Sequence, residues 1–118
     1  MDKTSFEQLV LAAIEELPPK IWHKMENIAV TVEEEPSTQT LRKQGIKPPA
    51  ILLGLYEGVP QTKRGMNYAN VLPDKITIFK KAVESLCRNE IELKNKVKEV
   101  VVHEIGHHFG LSDRELTE

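Results

Sequence analysis

The sequence predicts a small α+β domain, and three observations carry that expectation. Apolar residues near the start recur at three- and four-residue steps, the period of a helix with one buried face. Three short apolar stretches in the middle have the length and bounding turn residues of strands. A helical period then returns and finishes at a glycine. The order helix, strand, strand, strand, helix suits a small sheet packed against helices.

In the first helix the apolar face is Phe6, Leu9, Val10, Ala13, Ile14 and Leu17. Thr4 with Glu7, or Ser5 with Gln8, supplies a capping box at its start. Pro18-Pro19 stops it, because proline has no amide hydrogen and restricts the residue before it. The polar face is acidic, which favours core packing over a membrane surface. Ile28, Val30 and Val32 alternate between Asn27 and Glu35, a strand with one buried face, and Pro36 ends it. From Ser37 to Ala50 the chain is polar, with Gly45 and Pro48-Pro49, and reads as a long loop. Ile51 to Tyr56 is a short strand interrupted by Gly54, a residue that often marks the close approach of another segment.

A second polar loop, Gln61 to Asn70, leads into a strand from Lys75 to Lys80, where Ile76 and Ile78 alternate with Thr77 and Phe79. Val83, Leu86 and Cys87 suggest a helical turn. The last helix begins at Asn89, with Glu92 as its capping partner, and buries Val97, Val100, Val101 and Ile105. No repeat, low-complexity tract or linker interrupts the chain. One domain over residues 1–118 is therefore expected, long enough to bury a single core.

Sixteen basic and 18 acidic residues give a formal net charge of -2, so no global basic field recruits nucleic acid. The single cysteine, Cys87, excludes an internal disulfide and reads as packing. No cleaved signal peptide is expected from a start of Met1-Asp2-Lys3, and no apolar run approaches the ~20 residues that cross a bilayer. A cytoplasmic protein is expected, a monomer or weak oligomer with no nucleic-acid or membrane partner.

The chemistry lies in "HEIGHHFGLSD", His103 to Asp113. Residues four apart stand one above the other on a helix, so His103 and His107 can point imidazole nitrogens at one ion. Glu104 lies about 100° round the helix, close enough to reach a water on that ion as a general base. A catalytic zinc needs a third protein ligand and one open position. Beyond His107 the candidates are His108, Asp113, Glu115 and Glu118. His108 points about 100° from His107, towards Ile105 and Val101, and is expected in the packed face. Asp113 follows Gly110 by three residues, where the glycine can reverse the chain and carry it under the metal. Asp113 is the expected ligand, with Glu115 second. Two imidazoles and one carboxylate suit Zn2+, one ion.

"HEIGHHFGLSDREL" resembles the signature of the minimal zincins, the zincin-like metallopeptidase family of small bacterial proteins. The likeness extends to "NIAVTVEEEP", "LLGLYEGVP" followed by "TKR", and "DKITIFKKAVE", which resemble that family's successive strand segments in order. It covers most of the chain and leaves Ser37 to Ala50 least constrained. It implies a minimal zincin-like fold, a mixed sheet of three to four strands packed against an N-terminal helix and a C-terminal metal-binding helix. It also implies a peptide or protein substrate, and an edge strand that lines the cleft and pairs with substrate, for which Ile51 to Tyr56 is the candidate. The spacing is also similar to that of metzincins with an aspartate third ligand. Their methionine turn and lower subdomain have no counterpart after Met66, so substrate grip on that side of the cleft is not implied.

The function expected is a zinc-dependent peptidase, weak or substrate-restricted, with Glu104 as base and Tyr56, Arg64, Tyr68 or His23 as oxyanion donor. Two other classes compete. One is a metal-dependent hydrolase of another substrate such as RNA, against which the acidic net charge argues. The other is a non-catalytic interaction module stabilised by metal, which would have no use for Glu104.

Overall fold

The computed structural model describes residues 1–58 and 73–110. The chain runs α1 (Lys3–Glu15), α2 (Pro19–Lys24), β1 (Ile28–Glu33), α3 (Thr38–Lys43), β2 (Gly54–Glu57), β3 (Asp74–Phe79), α4 (Lys80–Glu84) and α5 (Glu90–Phe109). The three strands form one mixed sheet in the order β1-β3-β2. β1 lies parallel to β3 with Val30 opposite Ile76 and Val32 opposite Ile78. β2 lies antiparallel to β3 with Gly54 opposite Ile78 and Tyr56 opposite Ile76. The α+β architecture, with an N-terminal helix and a long C-terminal helix about a three-stranded mixed sheet, is the one expected.

Side-chain alternation explains why β3 is central. Ile76 and Ile78 are fully buried and join the core, while Thr77 on the opposite face bonds Thr31 of β1 hydroxyl to hydroxyl at 3.3 Å. The core fills the space between this sheet and the helices. Phe6, Val10, Ala13 and Ile14 from α1 meet Val97, Val101 and Ile105 from α5. At the α1 C-terminus, Glu16 takes ion pairs from Lys94 and from Lys98 at 2.8 Å. The bonds from Lys94 and then Lys98 hold its carboxyl below the usual glutamate range.

Local chemistry corrects several expected boundaries. α1 begins two or three residues earlier than a Thr4 or Ser5 cap allows, because Asp2 accepts the Ser5 amide at 2.8 Å. Pro18-Pro19 ends α1 and also starts α2, since proline at the first helical position forfeits no intrahelical bond. The expected loop from Ser37 to Ala50 contains α3, a helix with no buried residue, capped by Ser37 through the Thr40 amide at 3.0 Å. Lys80, at the start of α4, is nearly buried and reaches Glu84 at 3.1 Å and Glu34 at 3.6 Å. α5 begins as expected: Asn89 accepts the Glu92 amide, while the Glu92 carboxylate takes the Arg88 amide instead of the Asn89 one. Among the described residues no helix is long and apolar enough to cross a membrane.

Candidate metal centre

α5 carries the site because its two faces have different jobs. Leu93, Val97, Val101 and Ile105 anchor one face in the core, which leaves His103 and His107 exposed on the other. Their ring centroids stand 4.2 Å apart. One ligand atom each from His103, Glu104 and His107 can be chosen so that all three lie within 4.8 Å of one another. Two imidazoles beside a carboxylate fit zinc in donor type, whereas magnesium and calcium prefer all-oxygen shells. The helix ends at Gly110, whose φ of 64° and ψ of 32° give the expected left-handed cap. Asp113, Glu115 and Glu118 lie outside the described residues.

Glu104 does not hang free beside the histidines. Its Oε1 accepts the backbone N–H of Tyr56 at 3.0 Å. β2 has β3 as its only strand neighbour among the described residues, so Tyr56 offers this amide from an open edge. The approach is close because residue 54 is glycine. A methyl group there would stand 2.6 Å from Val100 Cγ1 and 3.1 Å from the Thr77 carbonyl oxygen. The close approach expected at Gly54 is thus made on the α5 side by the Val100 side chain.

The Tyr56 side chain has partners of its own. Its hydroxyl donates to Asp74 Oδ2 at 2.6 Å, and its ring stacks on His108 with centroids 3.9 Å apart and planes 16° from parallel. Asp74 is buried, at 7% exposure. The Tyr56 hydroxyl proton, one of the expected oxyanion donors, thus points at Asp74. His23 sits exposed on α2, and Arg64 and Tyr68 lie outside the described residues. His108 differs from expectation: it is exposed and lies on Tyr56, not among Val101 and Ile105, because it stands one turn beyond Glu104 on the side of α5 that meets β2. Asp74, the first residue of β3, carries no local signal in the sequence, because its tie to Tyr56 needs β2 beside β3. An apolar cavity of about 320 Å³ adjoins His103 and Glu104, with Leu52 and Leu53 on one wall and Val100 on the other. Lys96 and Glu99, paired at 3.2 Å, border it together with the Glu104 carboxylate.

Comparisons with known proteins bear on this arrangement. A family model described as "Zincin-like metallopeptidase" matches residues 25–118. A search of curated proteins finds no match. Among solved structures, a conserved hypothetical protein from Thermus thermophilus is similar in fold, with a TM-score of 0.57 at 18% identity. The match covers 92% of this chain and 94% of that one.

Proposed function

Since the chain belongs to the zincin-like metallopeptidase family, we propose that it is a zinc-dependent peptidase with Glu104 as its proton-transfer group. The observation that carries this reading is the bond from the Tyr56 amide to Glu104 Oε1 beside the two histidines. A glutamate serving only as surface charge has no need of a strand amide to orient it. His103 and His107 would hold the ion, and Asp113 is proposed as the third protein ligand. Zinc, when bound, supplies Lewis acidity that acidifies water and polarises a carbonyl.

The residues of the chain divide the remaining tasks. With Oε1 engaged by Tyr56, the other carboxylate oxygen, Oε2, accepts a proton from the attacking water and returns it to the leaving amine nitrogen. A peptide lying along β2 would pair with edge groups other than the Tyr56 amide, which Glu104 holds, and so bring a scissile carbonyl over the histidines. The apolar walls of the cavity beside His103, made by Leu52, Leu53 and Val100, suit an apolar substrate side chain. An unfolded or flexible peptide is the substrate class that can extend in this way.

The test pairs metal content with hydrolysis of an unstructured protein, for wild type, Glu104→Gln and Asp113→Ala. Glu104→Gln is expected to keep zinc and lose turnover by about 10²- to 10⁴-fold. Asp113→Ala is expected to lose stoichiometric zinc. Equal turnover in wild type and Glu104→Gln would sink the catalytic role, and cleavage of RNA but not protein would reassign the substrate.

A further inference from the structure

β2 lies against α5 in a repeating register. Gly54 meets Val100, Tyr56 meets Glu104, and Gly58 meets His108, whose Cε1 would be 3.6 Å from a methyl at that glycine. Strand positions two apart thus match helix positions four apart. Two strand residues advance about 6.7 Å and four helical residues about 6 Å, so the two repeats stay nearly in step. At the middle level the contact is a hydrogen bond to the proposed base. Its donor is a backbone amide, so it can be aimed only by fixing the residue that bears it.

Tyr56 is fixed from two sides. Its hydroxyl is tied to Asp74 at the first residue of the central strand β3, and its ring is stacked flat on His108 of α5. Phe109 closes the cluster edge-on, 6.5 Å from the Tyr56 ring. We infer that Asp74, Tyr56 and His108 form a positioning clamp that sets the direction of the Glu104 carboxylate. Asp74 ties Tyr56 to the sheet, His108 ties it to the helix, and the Tyr56 amide transmits both constraints to Glu104 Oε1. The three are positioning residues, because they act through Glu104. The role in turnover rests on the peptidase reading; the mechanical role does not.

The test compares Tyr56→Phe, His108→Ala and His108→Phe as full-length zinc-loaded proteins. Tyr56→Phe removes only the hydroxyl, and the His108 changes fall at an exposed position; the protection of Thr77 and Ile78 reports that the sheet is kept. Two quantities are read: kcat and KM on an unstructured protein, and hydrogen exchange of single amides. Tyr56→Phe and His108→Ala are expected to lower kcat about 10- to 100-fold with KM within about twofold. Zinc content should stay unchanged. His108→Phe, which keeps a flat ring on Tyr56, is expected to restore most of kcat. In His108→Ala the amide of residue 56 should exchange about tenfold faster, while the amides of Thr77 and Ile78 keep their protection.

Unchanged protection of residue 56 in both Tyr56→Phe and His108→Ala would overturn the clamp. So would equal loss of protection across β3, which would mean that the whole sheet edge had loosened. If the wild type shows no turnover, the peptidase reading fails while the exchange result still decides the mechanical role.

Discussion

Gly54→Ala tests whether β2 and α5 are held at a spacing that no larger residue allows. The added methyl would lie 2.6 Å from Val100 Cγ1, about 1 Å inside the ordinary carbon–carbon contact of about 3.5–4.0 Å. Val100 cannot swing aside cheaply, since a β-branched side chain in a helix has one strongly preferred rotamer. The Thr77 carbonyl, 3.1 Å away, blocks retreat in the other direction. Strand and helix must therefore separate, and overpacking of this kind costs about 1–3 kcal/mol. For a chain of 118 residues, about 1 kcal/mol moves Tm by about 4 °C, so a fall of about 4–12 °C is expected. A separation of about 1 Å would also stretch the 3.0 Å bond from Tyr56 to Glu104 beyond hydrogen-bonding reach, so kcat should fall with Tm. The assay is thermal unfolding of Gly54→Ala, Val100→Ala and the double variant. Removing the Val100 methyls makes room for the new one, so the double variant should be more stable than the sum of the single losses, by about 0.5–3 kcal/mol of coupling. Additive losses would refute the steric argument.

Two further outcomes follow from the metal centre and the ion pairs. Zinc at about 100-fold above its Kd should stabilise the fold by about 2.7 kcal/mol, near 10 °C in Tm, and a chelator should reverse it; a Tm indifferent to zinc in wild type would remove the His103–His107 site. Burial pushes the Glu84 carboxyl up, but the bond and charge of Lys80 and the charge of the N-terminus outweigh it and hold it below 4.5. A depressed carboxylate lends stability above its unfolded value and loses it as pH falls through the folded one. Glu84→Gln should therefore lower the urea midpoint at pH 7 and flatten its acid dependence below about pH 4.5; acid limbs of equal steepness in the two proteins would contradict the linkage.

What the sequence made legible is what neighbouring residues decide. The α1 and α5 periods, the Asn89 cap, the Gly110 stop and the stacking of His103 over His107 depend on residues within a few positions of each other. α3 escaped because it has no buried face, so no apolar period marks it; only its Ser37 cap does. The Asp2 cap was missed because Thr4 and Ser5 offered equally good local partners. The parallel pairing of β1 with β3 has no local signature. His108 was read from the helix alone, which gives its angular position but not what stands beside it. The tie between Tyr56 and Asp74 needs β2 and β3 to be adjacent, and that adjacency is tertiary information.

The sequence separation of these contacts also sets an order in time. His103 and His107 are brought together by a single helical turn, an event on the scale of about 0.1–1 μs. The amide that grips Glu104 comes from 48 residues away, the Thr31–Thr77 contact spans 46, and the Glu16–Lys98 pair spans 82. Chains that must close such loops fold on a scale of about milliseconds to seconds. An ion can thus meet a transient pair of imidazoles while the carboxylate beside them is still unaimed, and the grip on Glu104 arrives only with the completed sheet edge.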